Sequence, residues 1–320
     1  MRRFVEAGLE TRLTPQTRYT LCALWAMAML AATPAVSRAA DEWQVGTAPS
    51  FSSGKYGTDT RTEVLHTPIT ARRLFDDGDL TLVFPFTCIW GDSGVTVVNG
   101  TPVRTERIGS SGSSTGTTTD RSTDAARDGR TGTSAPAGRT TADVAAPPDA
   151  SAVGTSVSAC GMGDIVVRGR YYLLDERAWM PTIAVRAHVK APTASAERGL
   201  GTGRPDEGLA LEVSRTLAGG FMAMVDGGYT VIGKPVGEDF ENSWWYDVGV
   251  GQNLAGGAAN LSVFFSEYRA IVPGFANARD ILVALSVKGS SGWRIQVSGQ
   301  RGLSEGAPDH GITFSAGRRF

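Results

Sequence analysis

From Gly163 to Thr193 the chain alternates residue by residue through two consecutive runs. The first sets Ile165, Val167, Gly169, Tyr171 and Leu173 on one face and Arg168, Arg170 and Tyr172 on the other. A turn over residues 175–180 follows. The second run sets Ile183, Val185, Ala187 and Val189 against Thr182, Arg186, His188 and Lys190. A side-chain period of two belongs to strands and not to helices. The short turn between them predicts an antiparallel hairpin. The polar face is the constraint. An ordinary half-exposed sheet shows scattered polar groups to bulk water. Here charged residues stand opposite a clean apolar face with aromatics near its ends, the pattern of a wall with lipid on one side and water on the other.

The alternation recurs along the chain. Trp43–Ser53 reads as a first strand, Thr62–Leu74 as a weaker second interrupted by Pro68, and Leu80–Trp90 as a third. Beyond the hairpin, strands are predicted around Leu209–Ser214, Phe221–Thr230, Trp244–Val250, Leu261–Ser266, Ile281–Lys288, Trp293–Ser298 and His310–Phe320. The total is about twelve, an even number as bacterial single-chain barrels require. The connections supply an independent test. Those at 76–79, 175–180, 217–220, 254–258 and 289–292 are short; those at 54–60, 91–161, 191–206, 233–242, 270–278 and 303–309 are generally longer. Short periplasmic turns alternating with long outer loops is the outer-membrane rule, and it puts both termini in the periplasm. Tyr171, Trp179, Tyr229, Trp244 and Trp293 at strand ends suit the two headgroup zones. The expected fold is all-β: a transmembrane antiparallel up-and-down β-barrel with one long disordered outer loop.

A formal charge of −1 gives no case for nucleic acid as a partner. Arg12 and Arg18 precede the apolar run Leu21–Ala32, and Ser37-Arg38-Ala39 offers a small-x-small cleavage site. Residues 1–40 therefore read as a cleaved signal peptide, and residues 41–320 as a single barrel exported to a Gram-negative outer membrane. From about Gly100 to Ser158 the chain is Ser, Thr, Gly, Ala, Asp and Arg. Such a segment cannot bury enough apolar surface to offset the entropy of ordering it. Residues 94–160 are expected to be a low-complexity extracellular loop. Cys88 and Cys160 flank it in an oxidising compartment. They either close its neck as a disulfide, worth on the order of 4 kcal/mol by loop entropy, or stand as two free buried thiols. Spacing does not decide between these.

The inward face carries the chemistry. Arg168, Arg170, Tyr172, Arg186, His188, Lys190, Glu212, Asp226, Asp247 and Arg294 are the candidate pore-lining residues. Rings of charge set the field and selectivity of a pore. The alternative is that these charges pair and fill a barrel of intermediate width. His188, between Arg186 and Lys190, is either a pH-responsive pore residue or a polar filler. Tyr172, Phe264 and Tyr268 form an aromatic set on the same face. No catalytic residue is assigned, because His66, His188 and His310 have no hydrolase-type serine motif around them. No cluster has metal-ligand spacing, and no cofactor is expected.

Several short motifs carry a resemblance. They are Ser53-Gly54-Lys55-Tyr56-Gly57, Gly78-Asp79-Leu80 to Pro85, Gly163-Asp164, Arg170-Tyr171-Tyr172-Leu173-Leu174 and Val189-Lys190-Ala191-Pro192-Thr193. Gly199-Leu200-Gly201-Thr202-Gly203, Gly228-Tyr229, Gly302-Leu303-Ser304 and Pro308-Asp309 complete the set. In their order and spacing the chain resembles the "MetA-pathway of phenol degradation" family of outer-membrane proteins. The resemblance implies a passive outer-membrane channel for small molecules, aromatic compounds included. The rival reading is a closed structural or surface-interaction barrel. The resemblance also implies that Phe320 is the terminal aromatic read by the barrel-assembly machinery, although Arg318 stands where an aromatic is usual. Outer-membrane lipids are the other expected partner.

Overall fold

The computed structural model describes residues 42–92, 94–98, 101–105 and 156–320. The expected signal peptide and the centre of the low-complexity segment lie outside the described residues. The strands are β1 Glu42–Thr47, β2 Ser50–Gly54, β3 Thr62–Phe75, β4 Gly78–Asp92, β5 Val95–Val98, β6 Thr101–Arg104, β7 Ser156–Met162 and β8 Ile165–Leu174. They continue with β9 Thr182–Ala191, β10 Asp206–Thr216, β11 Phe221–Val231, β12 Ser243–Leu254, β13 Ala259–Tyr268, β14 Ala278–Lys288, β15 Trp293–Gly302 and β16 His310–Arg319.

Fourteen of these segments form one sheet, with β5 and β6 paired separately. They make twelve wall strands, because β1 with β2, and β7 with β8, are each one strand broken midway. Both breaks have a local cause. Pro49 has no N–H for the ladder, and the chain steps there from pairing Ala316 at Thr47 to pairing Thr313 at Ser50. At the second break Gly163 N donates to Pro85 O at 2.8 Å, where β4 passes from its pairing with β7 to its pairing with β8. Pro68 does not interrupt its strand: it stands opposite Pro85 in the β3–β4 ladder, and β3 runs through.

β16 pairs with both β1 and β2, so first and last strands meet and the wall closes on itself, with only β7, paired to β4 alone, at an edge. Closure lets the wall strands satisfy their backbones against one another, which a hydrocarbon environment demands. The polarity is inverted to match. Large apolar side chains point outward and stay exposed, as with Leu209 (66%) and Val250 (59%). The buried positions between them are small or polar: Ala184, Ala210, Ser262, Asp280 and Ser298. Trp43, Phe75, Tyr171, Trp179, Phe221 and Trp293 ring the short-turn end, and Trp90, Tyr229 and Trp244 the other. Those are two interfacial girdles around an apolar band. Arg318 sits within the short-turn girdle, with its guanidinium 5.8 Å from the Trp293 ring centre and 5.0 Å from that of Phe320.

The connections segregate as expected. The short turns include Ala218-Gly219-Gly220 and Ala255-Gly256-Gly257, both tight because glycines take positive φ at 73° and 81°, then 66° and 89°. Within residues 94–160 the described ends are ordered: β5 and β6 lie near the start and β7 overlaps the end, while residues 106–155 lie outside the described residues. The reason is local: Val95, Val97, Val98 and Val103 give the hairpin an apolar content that the rest of the segment lacks, and Val95, Val97 and Val98 are buried.

Candidate functional site

Register sets the inward side chains in continuous rows around the wall. One row runs Arg168, His188, Gly208, Thr230 and Ser243 from β8 to β12. The next, toward the short turns, runs Arg170, Arg186, Ala210, Gly228, Trp245, Tyr268 and Ala278. A third runs Tyr172, Ala184, Glu212, Asp226, Asp247, Ser266 and Asp280. Cations thus gather on β8 and β9, carboxylates on β10, β11, β12 and β14.

The two sets join at Arg186. Its Nε lies 2.8 Å from Glu212 Oε1, its Nη2 pairs with Asp226, and Arg170 Nη2 reaches the same Glu212 oxygen at 3.0 Å. Arg72 and Asp79 pair separately at 2.5 Å. Every one of these pairs links neighbouring or next-nearest strands. The charges therefore neutralise along the wall and do not bridge the opening.

Aromatic rings follow the same economy of space. A Cβ at Gly208 would lie 2.3 Å from His188 Cε1, one at Gly228 2.8 Å from Trp245 Cε2, and one at Gly249 2.3 Å from Phe264 Cδ1. Each ring is laid onto a position that has no side chain. Trp245 and Tyr268 form a near-parallel pair, ring centres 5.9 Å apart and planes 15° apart, with Arg186 5.3 Å from the Trp245 ring centre.

A cavity of about 440 Å³ opens inside this arc. Its charged floor includes Arg168, Arg186, Asp226 and Asp247, with His188, Trp245 and Tyr268 among them. Its upper wall carries Val98, Val103, Ile232, Ile271 and Phe275, with Arg104 and Arg269 beside them. The β5–β6 hairpin supplies part of that cover. Val95 and Val97 pack with Tyr56, Val64, Ile89 and Leu200 on the β3–β4 side of the mouth. Val98 and Val103 pack with Ile232, Phe240, Ile271, Val272 and Phe275 on the β11–β14 side. Arg104 holds the hairpin further, with Nη1 donating to Gly57 O at 2.5 Å and its guanidinium 4.4 Å from the Phe275 ring centre. Beside it in the β2–β3 loop, burial pushes the Tyr56 hydroxyl up to about 12.

Of the expected pore-lining residues, Arg168, Arg186, His188, Asp226 and Asp247 line this cavity. Arg170 and Glu212 belong to the charge belt beside it. Tyr172 and Arg294 face inward nearer the short-turn end. Lys190 does not line the opening, contrary to expectation. It is fully buried, its Nζ 2.7 Å from Asp206, 3.1 Å from Asp164 and 3.0 Å from Thr202 Oγ1. That cluster ties the loop after β9 to the wall. Cys88 and Cys160 are register partners on β4 and β7, with sulfurs 2.03 Å apart. His66 bonds Thr87 Oγ1 at 2.9 Å and His310 is exposed, so neither enters the cavity. Phe320 is exposed, its backbone N donating to Trp43 O at 2.8 Å.

Trp245 and Asp280 were not among the expected inward residues. Both were within reach of the alternation rule, since Trp245 has the parity of Asp247 and Asp280 that of Ser286.

A closed antiparallel barrel with an apolar outer band, aromatic girdles and a charged, cavity-bearing interior is an outer-membrane β-barrel. The chain belongs to the family described as "Putative MetA-pathway of phenol degradation", whose model matches residues 94–320. Among solved structures, it is similar to an outer membrane channel from Pseudomonas putida F1 at 13% identity and TM-score 0.55, covering 90% of this chain and 99% of that one. It is also similar, at 9% identity and TM-score 0.40, to the CymD monoaromatic hydrocarbon channel, over 87% of this chain and 88% of that one. The second likeness is too distant to bear on this chain. No curated protein sequence matches.

Proposed function

We propose that the protein is a passive outer-membrane channel for small molecules, with aromatic compounds as its favoured class. The observation that carries this reading is the cavity within a lumen whose charges pair along the wall. Such an arrangement leaves space for a solute while supplying polar groups to replace its water. The Trp245–Tyr268 pair supports the aromatic preference. Movement is by diffusion, with no catalytic step and no cofactor. In this reading residues 1–40 are removed on export, residues 41–320 form the barrel, and the short turns and both termini lie in the periplasm. Outer-membrane lipids surround the apolar band, and the assembly machinery reads the strand ending at Phe320.

A second reading is favoured by one observation, the apolar hairpin packed across the mouth. It describes a barrel closed at the long-loop end that does not conduct. Single-channel recording separates the two. The mature chain, refolded in detergent and inserted into a planar bilayer, is expected to give discrete current steps. A heat-modifiable barrel that conducts nothing would overturn the channel in favour of the closed form.

A further inference from the structure

The cavity's polar groups are not equally engaged. Arg186 is committed to Glu212 and Asp226. Arg269, at the upper wall, is paired with Glu241 at 2.6 Å. Arg104 is held over Phe275 and by Gly57 O. Asp226 has Arg186, while Asp247 lies beside its register neighbour Ser266. Arg168 differs: it lines the cavity and makes no salt bridge among the described residues. Its register neighbours are Thr81 on β4 and His188 on β9, neither of them an acid. A guanidinium facing enclosed space without a counter-charge is a ready site for a carboxylate, which it binds through two parallel N–H donors.

The rest of the cavity defines what that carboxylate is attached to. The Trp245 ring rests over Gly228, whose own Cβ would come within 2.8 Å of it. With Tyr268 it makes a flat shelf on the lumen wall. Val98, Ile271 and Phe275 face the same space from above. A planar apolar group fits between shelf and cover, and about 440 Å³ admits one ring with its first waters.

Resting on the channel reading above, we infer that this cavity is a binding subsite for a single-ring aromatic carboxylate. Its ring lies on the Trp245–Tyr268 shelf and its carboxylate on Arg168. The cavity serves as a stopping point on the route through the lumen, selecting for the combination of flat ring and negative charge.

Calorimetric titration of the refolded mature chain in detergent tests this with three probes: sodium benzoate, sodium acetate and benzylammonium chloride. Benzoate is expected to bind saturably, at least tenfold more tightly than either of the others. Arg168→Gln is expected to weaken benzoate binding roughly tenfold or more, as loss of a charge-assisted pair does, while Arg168→Lys retains part of it. Trp245→Leu is expected to bring benzoate toward acetate. Benzoate binding no tighter than acetate would overturn the ring shelf. Benzylammonium binding as tightly as benzoate would overturn Arg168 as the deciding charge in favour of Asp226 and Asp247. These comparisons on the unmutated chain hold even if a variant fails to fold. Binding needs no conduction, so the two readings fail separately: a silent barrel that binds benzoate loses the channel and keeps the subsite, and a conducting barrel that ignores benzoate does the reverse.

Discussion

Replacing Arg186 with glutamine isolates the charge that joins the two halves of the lumen. Arg168, Arg170 and Arg186 face Glu212, Asp226, Asp247 and Asp280, a local balance of three positive against four negative groups. Arg186→Gln takes that balance from −1 to −2. Glu212 retains Arg170 at 3.0 Å, whereas Asp226 loses its salt bridge. A unit charge about 4 Å from a passing ion contributes roughly 1 kcal/mol at a water-like dielectric. Losing it favours a cation and disfavours an anion by that amount each, so the preference for cations over anions changes by roughly 2 kcal/mol, about thirtyfold. In a tenfold KCl gradient the reversal potential of a pore that starts non-selective should move by about 50 mV toward the potassium equilibrium potential, and by less as ionic strength rises. Planar-bilayer recording reads it directly. Arg186→Lys, which keeps the charge, should leave the potential near its original value. A folded, conducting Arg186→Gln barrel with an unchanged potential, or one shifted toward chloride, would refute the placement of this charge on the conducting path.

Two further outcomes follow from packing. Gly249→Ala places a Cβ 2.3 Å from Phe264 Cδ1, where ordinary contact is 3.4–4 Å, so the ring must leave the wall for the lumen. Conductance should fall, at a stability cost of about 1–3 kcal/mol, and adding Phe264→Ala should restore it, because every close atom belongs to that ring. Lys190→Met strands Asp164 and Asp206 without their shared cation. Denaturant unfolding should show a loss of about 3–5 kcal/mol, partly recovered by Asp206→Asn; a loss near zero would mean water reaches the cluster.

The barrel was legible in the sequence because a strand with lipid on one side and water on the other fixes the parity of every residue. From Arg168 and Arg186 that parity reaches Glu212, Asp226 and Asp247, which stand in register with one another on β10, β11 and β12. Parity gives direction and not depth. Lys190 shares a face with Arg186, yet two register steps place it among Asp164, Asp206 and Thr202 and out of the opening. The same limit hid the cavity, which depends on which row faces which loop. The β5–β6 hairpin was missed for another reason: its few valines are outnumbered by polar neighbours in sequence, and their apolar partners, Leu200 and Ile271 among them, are remote along the chain.

The separation of cations on β8 and β9 from carboxylates on β10 to β14 has a consequence for anything that passes. It sets an electric field across the lumen, perpendicular to the direction of travel. A solute with a strong dipole is turned side-on in such a field. A molecule with a charged end and a neutral ring enters already aligned, its orientation chosen before it touches a single side chain. A symmetrical apolar molecule gains nothing from the field.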